Sequence, residues 1–316
     1  MMRDVVVIGG GLSGLAAACE LSRLGIGGTL IEVKPRLGGS IETRQIGDFL
    51  LDGGPFVIEK YGPWPFLAEL GLRDALTPVG RYRDAELVIF KAGTETLVNA
   101  LVERITLTVM TRMAVSSVGP LPNGGFGVCL ENGLLLDARA LIIAAPARYA
   151  DHMLRSLAPE AALRLFDYRY DPVARVSLGY RRADLDGLIP NLPTGGVCKF
   201  FETYDHPARV PMGHVLARAA VRLDAAGRIN RPEAALEAVR KWVGPAEPVV
   251  EWAHYWPEAD PLTCYLPEHA DNMDAIEQLL PERVALVGSD YRARRLDQQV
   301  EQGRAAARTI AAQLVE

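Results

Sequence analysis

Residues 5–21 leave little choice of fold. Val5-Val6-Val7-Ile8 is a β-branched apolar run of the length of a buried parallel strand. Gly9, Gly11 and Gly14 follow at G-x-G-x-x-G spacing and open an Ala/Leu-rich segment, Leu15 to Leu21, that predicts a helix ending near Gly25. A second strand is expected over Thr29–Val33, with Glu32 near its end. Strand, glycine turn, helix, strand and acid together form a unit that binds a dinucleotide.

Each residue has a physical job. Gly9 allows the sharp turn out of the strand, Gly11 lets a pyrophosphate reach the backbone, and Gly14 lets the helix sit close to the strand. The free N–H groups and positive dipole at the helix start hold phosphate charge. Glu32 lies eighteen residues after Gly14, where a carboxylate accepts hydrogen bonds from the adenosine ribose. The same carboxylate repels a 2′-phosphate, which disfavours NADP.

The rest of the sequence narrows the class. With 316 residues, 49% of them hydrophobic, the chain can bury a large core and is expected to form two domains. Its 34 basic and 39 acidic residues give a net charge of −5, with no basic stripe interleaved with aromatics, so nucleic acid is not an expected partner. Cys19, Cys129, Cys198 and Cys264 are scattered without C-x-x-C, as in a protein with reduced thiols. No apolar run reaches the ~18 residues of a membrane span. The expectation is a soluble, cytoplasmic protein without peripheral membrane contact, acting on a small molecule. The sequence does not give the oligomeric state. The five His (His152, His206, His214, His254, His269) lack ligand spacing, so no metal site is expected, and each reads better as a surface or hydrogen-bonded histidine than as a base.

The stretch after Glu32 separates the possible dinucleotides. Glu32-Val33-Lys34-Pro35-Arg36-Leu37-Gly38-Gly39-Ser40 has the form E-x-x-x-R-x-G-G, and Asp52-Gly53-Gly54-Pro55 follows. This pattern resembles the flavin amine oxidase and protoporphyrinogen oxidase superfamily. No second G-x-G-x-x-G is present for a pyridine nucleotide. Further landmarks resemble the same family: the helix Pro65–Leu72 capped by Gly71, the resumption at Phe90–Leu101, the strand Met113–Val118, the strand Leu141–Pro146, the segment Trp252–Pro261, and the turn Gly288-Ser289-Asp290 before a long final helix. One landmark departs. Only about a dozen residues separate Pro78 from Lys91, where full-length protoporphyrinogen oxidases carry a long helical insertion that covers substrate and rests on the membrane.

The resemblance implies a Rossmann-like α/β FAD-binding domain with a second α+β substrate domain built on an antiparallel sheet. It divides the chain into 1–60, 91–150 and 256–316 for FAD, and 61–90 and 151–255 for substrate. It implies one non-covalent FAD held by Gly9, Gly11, Leu12, Ser13, Gly14, Glu32, Val33, Arg36, Gly38, Gly39 and Ser40. Gly53, Gly54, Pro55, Val115, Ala144 and Trp256 are expected to continue the site. Gly288, Asp290, Leu296, Asp297 and Gln298 are expected to complete it. The positive start of the last helix would favour the N1/O2 charge of reduced flavin.

Cys264-Tyr265 is similar to the pair that attaches FAD covalently in monoamine oxidases, but its flanks do not match, and a buried thiol is the alternative reading. Tyr255 and Trp256 fit either a pocket wall or the core. Between Asp290 and the last helix, where the family has glycines, stand Arg292, Arg294 and Arg295. These could stabilise anionic flavin, draw in an acidic substrate, crowd the ring, or form a solvated loop.

No acid–base residue is demanded, because flavin carries the hydride chemistry. The expected function is an FAD-dependent oxidoreductase removing a hydride from a C–H or C–N centre of an apolar or conjugated molecule, protoporphyrinogen-like. Amines or reduced nicotinamides, as for the compact renalases, are alternative substrates. A redox-quiet protein or partner subunit with a structural flavin is the alternative function.

Overall fold

A computed structural model of the chain describes residues 3–185, 188–223, 229–259 and 261–315. In chain order the strands are β1 (Arg3–Ile8), β2 (Gly28–Glu32), β3 (Thr43–Ile46), β4 (Phe49–Asp52), β5 (Ile58–Lys60), β6 (Leu76–Tyr82), β7 (Ala85–Phe90) and β8 (Thr108–Thr111). They continue with β9 (Val115–Pro120), β10 (Phe126–Leu130), β11 (Leu135–Ile143), β12 (Val173–Arg181), β13 (Cys198–Tyr204), β14 (His214–Arg222), β15 (Val250–Trp256) and β16 (Val284–Leu286). The helices are α1 (Leu12–Arg23), α2 (Pro65–Glu69), α3 (Glu95–Val102), α4 (Ala147–Leu154), α5 (Pro159–Phe166), α6 (Pro232–Val243), α7 (His269–Leu279) and α8 (Leu296–Val315). None of the described helices is long and apolar enough to cross a membrane.

The chain divides into two compact units, one of residues 1–39, 98–169 and 261–316, the other of 40–97 and 170–260. The first holds a seven-stranded sheet of order β8-β2-β1-β11-β10-β9, with β16 paired to β11. β8, β2, β1, β11 and β16 run parallel, and β10 and β9 are antiparallel. Val5, Val6 and Val7 are wholly buried, as their uninterrupted apolar run requires of a central parallel strand. α1 ends in a Schellman closure: Gly25, at φ +73°, donates to Ser22, and Ile26 donates to Leu21 at 3.0 Å. This is the helix, and the glycine stop, that the sequence predicts.

The second unit contains the antiparallel sheet β13-β14-β12-β15, the hairpin β3–β4, and the three-stranded sheet β5-β7-β6. One face of the four-stranded sheet (Ala174, Val176, Leu178 and Tyr180 on β12; Ala217, Ala219 and Val221 on β14) packs on Ala235, Val239 and Val243 of α6. The fold class is therefore the one expected: a Rossmann-like domain with a parallel core, and a separate antiparallel-sheet domain.

One local expectation needs revision. The helix read from Ala150 to Phe166 is two helices, α4 and α5. Pro159 opens α5, and Ala158 before it is extended at φ −144°, because proline crowds a preceding residue out of the helical region. The stretch from Pro78 to Lys91 forms strands of the small sheet: β6 and β7 make a hairpin turned at Arg83, which sits at φ +55°.

Candidate dinucleotide-binding site

Two of the motif glycines after β1, Gly9 and Gly14, are required by a neighbour. A Cβ on Gly9, itself at φ +106°, would lie 2.6 Å from the carbonyl oxygen of Ala144 at the end of β11. A Cβ on Gly14 would lie 2.0 Å from the Gly9 carbonyl oxygen, so α1 starts directly over the turn. Gly11 has nothing within 4 Å of that position, so space stands open at the helix start. Gly11 is the N-cap of α1 and no side chain caps the helix, so its first N–H groups are available. Leu12 and Ser13 begin the helix buried, and the Ser13 hydroxyl has no hydrogen-bond partner among the described residues.

Glu32 points back at the same turn. Its Oε2 accepts the Gly10 N–H at 2.7 Å and its Oε1 accepts the Lys34 N–H at 2.7 Å. A Cβ on Gly10 would strike Leu37 at 2.6 Å and Glu32 at 3.2 Å. The motif leaves residue 10 unspecified; here a larger residue would need the Leu37 methyl to move and would crowd the Glu32 side chain. The Arg36–Gly39 loop folds over the turn: Gly38 donates to the Gly10 carbonyl at 2.8 Å, and a Cβ on Gly39 would lie 3.1 Å from Gly11 Cα. Arg36 shapes this loop by donating to Leu37 O at 3.1 Å and Gly39 O at 2.8 Å. Val33 is 60% exposed beside it.

A second group gathers at the same C-terminal end of β11. Val287 donates to Ile143 O at 3.0 Å, which places Gly288 and Asp290 beside Ala144 and Ala145. Gly288, at φ +141°, donates to Gln302 of α8 at 2.9 Å. The buried Asp290 carboxylate accepts the Ala147 N–H at 2.9 Å, at the start of α4, and the Ser289 hydroxyl at 3.1 Å. The buried Cys264 thiol donates to Asp290 O at 3.1 Å. At the start of α8, Gln298 accepts the Arg295 N–H at 3.1 Å, Leu296 is buried, and Asp297 pairs with the Arg295 side chain at 3.1 Å. Val115 begins β9, two residues after Met113, whose N–H donates to the Glu32 carbonyl at 3.0 Å.

The arginine stretch is largely neutralised. Arg292 is clamped by Asp274 and Glu277, one helical turn apart on α7. Their hydrogen bonds, Glu277 first, hold its pKa above the ordinary guanidinium value. Arg295 pairs with Asp297, and Arg294 lies over the Tyr265 ring at 4.9 Å. Arg292 and Arg295 are thus held in ion pairs within the first unit, an arrangement that was not among the readings left open for this loop. His269 is likewise committed: its Nε2 meets Tyr291 O at 2.6 Å and its Nδ1 faces the Tyr168 hydroxyl at 3.3 Å. A groove of about 920 Å³ between α5 and α7, lined by Leu163, Tyr168, Leu262, Leu266 and His269 among others, contains none of the predicted cofactor residues.

The remaining predicted residues belong to the second unit. Ser40 and Gly54 touch, since a Cβ on Gly54 would lie 2.7 Å from Ser40 O. A Cβ on Gly53 would strike the His254 imidazole at 2.5 Å and Trp252 at 2.8 Å. His254 Nδ1 is 3.3 Å from Glu42, and its ring stacks beside that of Trp256 at 6.4 Å. Beneath the Gly53-Gly54-Pro55 turn, Asp52 accepts hydrogen bonds from Thr43 Oγ1, Thr94 N, Thr94 Oγ1 and Arg209 Nη2. Thr94 Oγ1 also lies 2.8 Å from Pro55 O. No local pattern announces this hub, because its members are 9 to 157 residues from Asp52. Among the described residues, no three His, Cys, Asp or Glu side chains gather as metal ligands.

Comparison with known proteins gives a consistent picture. A chloroplastic protoporphyrinogen oxidase of Oryza sativa subsp. japonica is 26% identical over 217 residues, covering 60% of this chain and 40% of that one. Coproporphyrinogen III oxidase of Bacillus subtilis (strain 168) is 35% identical over 82 residues, covering 23% of this chain and 17% of that one. The matched stretches thus span less than half the length of either curated relative. In fold, a candidate protoporphyrinogen oxidase from Exiguobacterium sp. 255-15 aligns at a TM-score of 0.79 and 15% identity, over 99% of this chain and all of that one. A putrescine oxidase solved with putrescine aligns at 0.67 and 16%, over 99% of both chains. Residues 7–70 match the model of an NAD(P)-binding Rossmann-like domain. Residues 80–311, most of the chain, match that of flavin containing amine oxidoreductases, and it is to this family that the chain belongs.

Proposed function

We propose that this protein is an FAD-dependent oxidoreductase that removes a hydride from a C–H or C–N centre of a conjugated or apolar small molecule. The observation that carries the reading is the start of α1. There the open space at Gly11 admits a pyrophosphate, and the uncapped helix N-terminus and the buried Ser13 hydroxyl, without a partner among the described residues, offer it donors. Glu32, fixed from behind by Gly10 and Lys34, presents its carboxylate to a ribose. These residues fit the ADP half of FAD. When bound, the flavin accepts the hydride; the chain's part is to hold it and orient the substrate. The curated relatives are named for porphyrinogen oxidation and one structural relative for putrescine, so both substrate kinds belong in the test.

The test is an absorbance spectrum of the purified protein, followed by anaerobic mixing with porphyrinogens, amines and reduced nicotinamides. Yellow protein bleached by one of these supports the oxidoreductase and names its substrate class. Yellow protein bleached only by dithionite supports a structural flavin. Protein that stays colourless after reconstitution with FAD overturns the cofactor.

A further inference from the structure

The groove between α5 and α7 lies within the first unit and is walled by apolar side chains that the core does not use. α5 turns Ala161, Ala162 and Leu165 inward, and α7 turns Met273 and Ile276 inward. That leaves Leu163 and Phe166 on the outer side of α5, and Leu262, Tyr265 and Leu266 in the turn before α7. These five are between 41% and 71% exposed, and Leu163, Leu262 and Leu266 line the groove itself. Large apolar side chains gathered in this way mark an interaction surface. The floor beneath them is fixed. The Tyr168 hydroxyl donates to Met273 Sδ at 3.4 Å and faces His269 Nδ1 at 3.3 Å, and the two rings meet edge to face at 5.9 Å. A partner therefore meets a groove that is already formed.

The two rims carry opposite charge. On the α5 side Arg164 and Arg169 outnumber Asp167; on the α7 side the charged lining residues are Glu268 and Asp271. Arg164 donates to Asn272 at 3.1 Å, and none of these five charged side chains has an ion-pair partner among the described residues. Beyond the lining, Arg294 lies over Tyr265, while Asp274 and Glu277 are taken up by Arg292. A partner segment of one sign would match one rim and be repelled by the other. A second copy related by a two-fold axis along the groove meets both, because α5 then faces α7 twice.

The area agrees. At roughly 150–200 Å² for a large apolar side chain, the exposed fractions of the five amount to about 500 Å² per copy. Two copies would bury about 1,000 Å², the size at which specific interfaces begin, before the polar rim is counted.

We propose that a second copy of this chain docks in the groove about that two-fold axis, with the α5 rim of one protomer on the α7 rim of the other and the apolar side chains closed between them. The proposal is independent of the oxidoreductase reading, since no predicted cofactor residue lines the groove.

The test is sedimentation velocity of the purified protein from about 1 to 200 μM, a range suited to an interface of this size. A concentration-dependent dimer is expected. Leu163→Asp should weaken it about tenfold or more, because a carboxylate then enters the apolar centre. Arg164→Glu and Asp271→Lys should each weaken it alone, since like charges then meet at both symmetric contacts. An equimolar mixture of these two variants should recover the association, because only their heterodimer sets opposite charges together at both contacts. Two misfolded variants could not do so. A monomer throughout the range, or a dimer indifferent to Leu163→Asp, overturns the proposal. Failure of the mixture to associate better than either variant alone overturns the two-fold arrangement.

Discussion

Asp52 and Arg209 form an ion pair at 2.7 Å with both side chains shut off from solvent, 1% and 0% exposed. Removing one partner of such a pair strands the other charge, at about 3–5 kcal/mol. Asp52→Asn and Arg209→Met should each lower stability by that amount in urea unfolding. The double variant should cost less than the sum, because neither charge is then stranded. A strictly additive result would mean that the pair is not coupled.

Glu20 offers a pH-dependent prediction. The Arg23 hydrogen bond leads in lowering its pKa from 4.5 to about 2, with Arg304 and Arg308 assisting from α8. A depressed acid stabilises the fold above its unfolded value and loses that contribution as pH falls through the folded one. Stability of order 2–3 kcal/mol should therefore be complete above about pH 4.5 and disappear toward pH 2. Glu20→Gln should flatten this limb of the stability–pH curve. An unaltered limb would assign acid sensitivity to other carboxylates.

At Gly303 two effects oppose each other. Replacing a mid-helix glycine by alanine gains about 1 kcal/mol of helix propensity. Here the new Cβ would stand 2.2 Å from Ser13 O and 3.1 Å from Ala16, so α8 would have to move off α1. Overpacking of this kind costs about 1–3 kcal/mol. Gly303→Ala should thus lower the melting temperature despite its better propensity, and a rise would show that the helices separate freely.

Glu32→Ala removes the acceptor for both Gly10 and Lys34 and the carboxylate proposed above to hold the ribose. FAD retention through gel filtration should fall about tenfold or more, as expected for a lost charge-assisted contact. Retention equal to that of the unaltered protein would remove Glu32 from the cofactor site.

The first forty residues were legible because their signals are local. Gly9, Gly14 and Gly25 each answer a steric demand set within a few residues or by an adjacent strand. Two family landmarks, Met113–Val118 and Leu141–Pro146, also located β9 and the end of β11. What stayed hidden depends on distant partners. Asp52 reads as part of a turn motif, yet its partners include Thr94 and Arg209. The arginine stretch reads as free charge because the acids that neutralise Arg292 lie on another helix; Asp274 and Glu277, spaced by one turn, were the available hint. Pro159 was a local signal, overridden by the apolar periodicity on both sides of it.

β11 has β1 along one edge and shares the other between β10 and β16, so the sheet joins strands formed by residues 3–8 and 284–286. During synthesis, β1 and α1 emerge roughly 270 residues before β16 and α8, which complete their surroundings. The residues of the second unit leave the ribosome before the first unit can close. Non-local strand pairing of this kind folds slowly and exposes apolar edges meanwhile. Closure of the first unit accordingly waits for β16 and α8, and truncation before α8 removes part of that unit's architecture rather than trimming its edge.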